Sequence, residues 1–158
     1  MDEAARRALL VTYREGYQAV VDALSGADDA DLDRRPAAGE WTARQVVHHL
    51  ADSEMTSAIR LRRLLAEDDP VIAGYNEVEF ARLLFYDRPI EASLAAFRGA
   101  RESTAAILER LSDDQWQRRG THTESGAYGV ETWLEIYAAH GHDHAEQIRR
   151  ARAEGSRP

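Results

Sequence analysis

The stretch Glu40-Trp41-Thr42-Ala43-Arg44-Gln45-Val46-Val47-His48-His49-Leu50 holds the clearest helix start in the chain. Thr42 followed by Gln45 is a capping box, in which each side chain can satisfy the other's free backbone N–H. Trp41 and Val46 stand where a hydrophobic staple needs them. A long helix is expected from here to about Glu67. Upstream, residues 2 to 25 carry Leu9, Leu10, Tyr13, Tyr17, Val20, Val21 and Leu24 at spacings of three and four, which makes a one-sided helix stopped by Ser25-Gly26. The acidic, Pro- and Gly-containing stretch from Asp28 to Gly39 reads as a connecting loop with a helical turn near Asp31.

Downstream, Pro70 closes the capped helix, and Asn76 with Glu79 opens a short one through Phe80, Leu83 and Leu84 that Arg88-Pro89 breaks. A third long helix is expected from about Ile90 to Leu111, with Leu94, Phe97, Ala100, Arg101, Thr104, Ile107 and Leu108 along its inner stripe. Ser112 and Gln115 repeat the capping pattern for one turn around Trp116. Gly120 to Gly129 reads as loop or a small hairpin. The last helix should run from about Val130 to Ala153, with Gly155 beyond it. Four long helices without a convincing alternating run predict an all-α four-helix bundle, one domain over residues 1–158. The link containing residues 68 to 89 is long enough to be a crossover connection.

Hydrophobic residues make up 44% of the 158 and charged residues 30%, a globular balance with no apolar run of membrane-spanning length. The N-terminus lacks the pattern of a secretory signal, so the expected location is cytoplasmic. All 20 basic residues are arginine against 28 acidic ones, and the resulting charge of −8 argues against nucleic acid as a partner. There is no cysteine. Thiolate metal sites are thereby excluded, and any thiol chemistry must borrow its thiol.

The histidines carry the functional signal. His140 and His144, four apart on the last helix, aim at one point, whereas His142 is turned about 160° from either. The same face carries Trp133, Ile136, Tyr137 and Ile148, and so should point into the bundle. A lone histidine there is ordinarily a satisfied core residue, and two at this spacing leave that reading and a shared cation both open. A third ligand should come from the second long helix, where His48 and His49 flank the apolar centre at about equal angles. Periodicity does not choose between them. The Glu-x-x-His pairs of di-iron bundles and the His-Glu-x-x-His of zincins are absent. Three histidines with an open position would make a catalytic rather than a closed structural site.

The run from Glu40 through His49-Leu50-Ala51-Asp52-Ser53-Glu54, followed by His140-Gly141-His142-Asp143-His144-Ala145-Glu146-Gln147-Ile148, resembles the DinB/YfiT-like superfamily in order and separation. The resemblance covers nearly the whole chain. It implies a four-helix bundle with a three-histidine metal centre, its ligands carried over to His49, His140 and His144. It also implies a homodimer, since bundles of this family often pair. Asp52 and Gln147, each one turn beyond a ligand, are candidates to orient the rings, and His122 is a candidate for the site mouth. Glu54 fits either a base or an ordinary bundle residue; Trp133 and Tyr137 are expected in the core.

Relatives of this kind include transferases that use low-molecular-weight thiols such as bacillithiol or mycothiol. The expected activity is therefore a metal-dependent conjugation of a thiol cosubstrate to an electrophilic small molecule. The alternatives are metal-dependent hydrolysis and a non-catalytic, stress-linked binding module. Imidazole ligands accept zinc, nickel or iron, and the residues do not select among them.

Overall fold

The three capping pairs read from the sequence each begin a helix in the computed structural model, which describes residues 1–153. Asp2 caps α1 (Glu3–Leu24) and Asp28 caps the single turn α2 (Asp29–Leu32). Thr42 and Gln45 form both bonds of the capping box at the start of α3 (Ala43–Ala66). Asn76 caps α4 (Glu77–Leu83), and Ser112 with Gln115 forms a second complete box on α6 (Asp113–Trp116). The remaining long helices are α5 (Glu91–Leu108) and α7 (Val130–Ala153). Gly155 lies outside the described residues.

The contacts between helices define an unusual order. His48 meets Ser93, Glu54 meets Arg101 and Arg62 meets Ser103, so α3 and α5 run parallel. Arg6 meets Glu131, Thr12 meets His142 and Arg152 meets Ala23, so α1 and α7 are parallel too. By contrast α3 and α7 are antiparallel, with Ser57 against Trp133 and His49 against His144. The same holds for α1 and α5, where Arg14 pairs with Glu109 and Tyr17 packs on Phe97. The bundle is thus up, down, down, up, with sequence neighbours α1 and α3 placed diagonally, as are α5 and α7. Because α3 and α5 are parallel neighbours, the link between them must travel back along the bundle, as its length suggested.

That link contains the one element with no precedent in the sequence reading. Val71–Ile72 forms β1, parallel to β2 (Arg119–His122), which pairs antiparallel with β3 (Gly126–Gly129). The hairpin was expected as one option; β1, only two residues long, leaves no periodicity to read.

Two apolar clusters fill the bundle. One, around Tyr13, Leu61, Trp133 and Leu134, lies toward the sheet; the other, around Val20, Val47, Leu50, Phe97 and Ile148, lies toward the capped end of α3. Between them α1 and α7 approach so closely that a Cβ on Gly141 would sit 2.9 Å from the Gly16 carbonyl oxygen. A Cβ on Gly16 would collide with the guanidinium of Arg101. The two glycines therefore open a slot for a buried cation. Arg101 fills it, 2% exposed, donating to the carbonyls of Tyr13 and Tyr137 and, at 3.0 Å, to the Glu54 carboxylate. Its guanidinium lies over the Tyr13 ring, 4.3 Å from the centroid.

Among the described residues, no helix is long and apolar enough to cross a membrane.

Candidate metal centre

Two turns into α3, the doubled histidine splits. His48 is fully buried, with Nδ1 2.8 Å from the Ser93 hydroxyl and Nε2 2.9 Å from the Arg88 carbonyl. Both ring nitrogens are used, and burial lowers its pKa. This is a satisfied core histidine.

His49 turns to α7 instead. Its ring centroid is 5.7 Å from that of His140 and 4.8 Å from that of His144, while His140 and His144 are 4.6 Å apart. One nitrogen from each of the three rings lies within 4.8 Å of the others. The Nδ1 of His49 is buried and has no hydrogen-bond partner. A buried orphan nitrogen costs free energy unless something takes its lone pair or proton. A neutral, three-imidazole donor set with such an orphan fits a divalent cation.

The other two rings are held from behind. His140 Nδ1 is 3.0 Å from Oε1 of Glu54, which is completely buried and anchored on its far side by Arg101. A carboxylate only accepts, so His140 donates through Nδ1 and leaves Nε2 free. Gln147 Oε1 accepts from His144 Nδ1 at 2.7 Å, with the same consequence. Carboxylate or carbonyl partners on the outer nitrogen are how ligating histidines are commonly oriented.

Gln147, a candidate to orient a ring, makes its contact with His144. Asp52 is not bonded to a ring of the cluster: it accepts from the Tyr86 hydroxyl at 2.8 Å, on the side of α3 that faces the α4–α5 link. His122 also differs from the expectation. It sits in β2, packed on Tyr128 with its Nδ1 accepting from the Glu124 amide, and is not among the residues lining the cleft over the triad. Ile136 is 47% exposed, because the face of α7 turned to the core is centred on Leu134, Ala138, Gly141 and Ala145. His140 and His144 stand on the flank of that face toward α3, half-buried. Glu54 and Arg101 are the site residues that sequence reasoning did not assign, although an arginine inside an apolar stripe was the available signal.

The triad forms the floor of an open cleft of about 590 Å³. One wall is the loop before α3, from Pro36 through Gly39 and Glu40 to Trp41, whose ring lies 4.9 Å from that of His49. Gly39 has φ +87°, a conformation that disfavours any side chain. Arg44 fastens the turn α2 that leads into this loop, bonding Asp33 at 2.6 Å and Asp29 at 2.8 Å, and its guanidinium lowers the pKa of Asp33. Glu77 and the α7 residues Gln147, Arg150 and Ala151 complete the lining.

Burial, and then the neighbouring imidazoles, push the pKa of His49 down to about 3 and that of His144 to about 4. In the unfolded chain both titrate near 6.5. Between those values the unfolded state binds more protons, so the metal-free protein loses stability as pH falls below 6.5, down to the folded values. Each ring contributes a slope approaching about 1.4 kcal/mol per pH unit. Melting curves of metal-free protein from pH 7 to pH 5 should shift steadily downward. His144→Gln should flatten the trend, and an unchanged slope in that variant would contradict the assignment.

A family model described as the DinB superfamily matches residues 12–148. A protein of Oceanobacillus iheyensis named as a candidate metal-dependent hydrolase is 40% identical over 121 residues, 77% of this chain and 70% of that protein. One from Halalkalibacterium halodurans with the same kind of name is 32% identical over 124 residues, 78% of this chain and 72% of the relative. The solved structure of YfiT from Bacillus subtilis, described as a probable metal-dependent hydrolase with an unusual four-helix bundle topology, superposes with a TM-score of 0.89 at 30% identity. That superposition covers 96% of this chain and 87% of YfiT. With its sequence match, its up-down-down-up bundle and its three-histidine cluster, the chain belongs to the DinB superfamily.

Proposed function

We propose that this protein is a metal-dependent hydrolase whose ion is held by His49, His140 and His144. The observation that carries the reading is the convergence of three neutral imidazoles, from two helices, on the floor of a cleft open to small molecules. The names of the relatives support hydrolysis over the thiol conjugation expected from the sequence. When bound, a divalent ion supplies Lewis acidity and a water more acidic than bulk water.

The chain's own residues provide the frame. Glu54 and Gln147 fix the tautomers and angles of His140 and His144, and Arg101 fixes Glu54. Trp41 covers one side of His49 and limits the water that reaches it. Hydrolysis of an amide or ester adds the hydroxyl of water to the carbonyl carbon and its proton to the departing nitrogen or oxygen. Thiol transfer is the second reading, favoured by a cysteine-free chain that would need a thiol from a cosubstrate.

The test is a panel of p-nitrophenyl esters and amino-acid p-nitroanilides with protein loaded with zinc, nickel or iron, beside a chlorodinitrobenzene assay with and without added cysteine. Metal-dependent release of p-nitrophenol or p-nitroaniline that vanishes in His140→Ala is expected. Conjugation that requires both metal and thiol, without hydrolysis, would replace this reading with the second.

A further inference from the structure

Holding an ion accounts for the floor of the cleft but not for its charged rim. Glu40, Glu77 and Arg150 line the cleft, and all three are exposed. Among the described residues none of their side chains makes an ion pair or a hydrogen bond. Most arginines in this chain are engaged: Arg44, Arg60, Arg62, Arg88 and Arg101 each bond to side chains or carbonyls of other elements. Among the described residues Arg150 is the one arginine lining the cleft. It stands six residues beyond His144 on α7, a rise of about 9 Å, and one turn beyond Gln147. The two carboxylates come from different segments, Glu40 from the loop before α3 and Glu77 from the start of α4.

A neutral triad able to hold a divalent ion, together with one guanidinium and two carboxylates from two other segments, makes a lining of both signs. Guanidinium recognises carboxylate in a bidentate fork, and carboxylates attract ammonium. A dianion would gain at Arg150 and lose at both glutamates, and an uncharged apolar molecule would find only Trp41 and Pro36. The volume is that of an ordinary small-molecule site.

Resting on the hydrolase reading, we propose that the substrates are small zwitterions of the amino-acid-derivative or short-peptide class. The carboxylate is taken by Arg150 and the ammonium by Glu40 and Glu77, and the amide between them is presented to the triad. The C–N bond breaks, the carbonyl carbon gains the hydroxyl of water, and the freed nitrogen gains its proton.

The experiment measures binding separately from turnover. Zinc-loaded protein is titrated calorimetrically with glycylglycine, with N-acetylglycine, which keeps only the negative charge, and with glycinamide, which keeps only the positive one. Glycylglycine should bind at least about tenfold more tightly than either, the scale of one charge-assisted hydrogen bond. Arg150→Gln should remove its advantage over glycinamide. The double variant Glu40→Gln, Glu77→Gln should remove its advantage over N-acetylglycine, with zinc content unchanged in both variants. Equal binding of the three probes, or a preference that survives both variants because glycylglycine simply chelates zinc, overturns the proposal. Zwitterion binding with no hydrolysis of any peptide or ester keeps the rim assignment and removes the hydrolase reading. Hydrolysis of neutral esters with no zwitterion preference does the reverse.

Discussion

His49→Ala, His140→Ala and His144→Ala are each expected to lower zinc affinity by more than about 100-fold, beyond the 10- to 100-fold typical of losing an orienting partner. His48→Ala should leave affinity within about threefold. The contrast between adjacent residues is the sharp part of this expectation. His48 spends both nitrogens on Ser93 and the Arg88 carbonyl, so its removal costs stability, about 1–3 kcal/mol, and not metal. His49 has an orphan nitrogen and two imidazole neighbours. Equilibrium dialysis followed by elemental analysis reads the affinities. Quenching of Trp41 by nickel or copper gives a second measure, because its ring lies 4.9 Å from that of His49. Metal loss in His48→Ala with retention in His49→Ala would reverse the assignment.

Arg101→Met should destabilise the protein by about 3–5 kcal/mol, the usual consequence of stranding one member of a buried ion pair. Glu54 is wholly buried, its Oε1 is shared between Arg101 and His140, and its Oε2 has no partner. Without the guanidinium, that carboxylate faces two helix carbonyls newly deprived of a donor, those of Tyr13 and Tyr137. Urea denaturation of metal-free protein measures the loss, and Arg101→Met combined with Glu54→Gln should recover part of it. Because Glu54 orients His140, the single variant should also weaken zinc binding. A destabilisation under about 1 kcal/mol would mean that the slot made by Gly16 and Gly141 has another purpose.

What the sequence made legible was local. The box of Thr42 and Gln45, the cap at Asn76 and the box of Ser112 and Gln115 each involve residues three apart, and each appears as read. Spacing of four likewise brought His140 and His144 together. Choosing between His48 and His49 required partners from elsewhere: Ser93 lies 45 positions away and Arg88 lies 40 away. Helical angle is blind to both, and the resemblance of His49-Leu50 to a family pattern supplied what geometry lacked. The role of Glu54 was hidden for the same reason, since its two partners sit on α5 and α7. Asp52 shows the converse error, because adjacency to a ligand along a helix says nothing about the tyrosine that arrives from another segment.

The parallel pairing of α1 with α7 and of α3 with α5 has a consequence for how the molecule could come apart. Every major contact between the four long helices joins one from before residue 68 to one from after residue 89, and neither portion keeps a long-helix partner of its own. Cut in the intervening segment, the polypeptide would yield two pieces that are each unable to bury their apolar stripes, yet are fully complementary. Co-expressed, they should reassemble as a heterodimer, and an ion shared by rings from both pieces would act as its removable clasp.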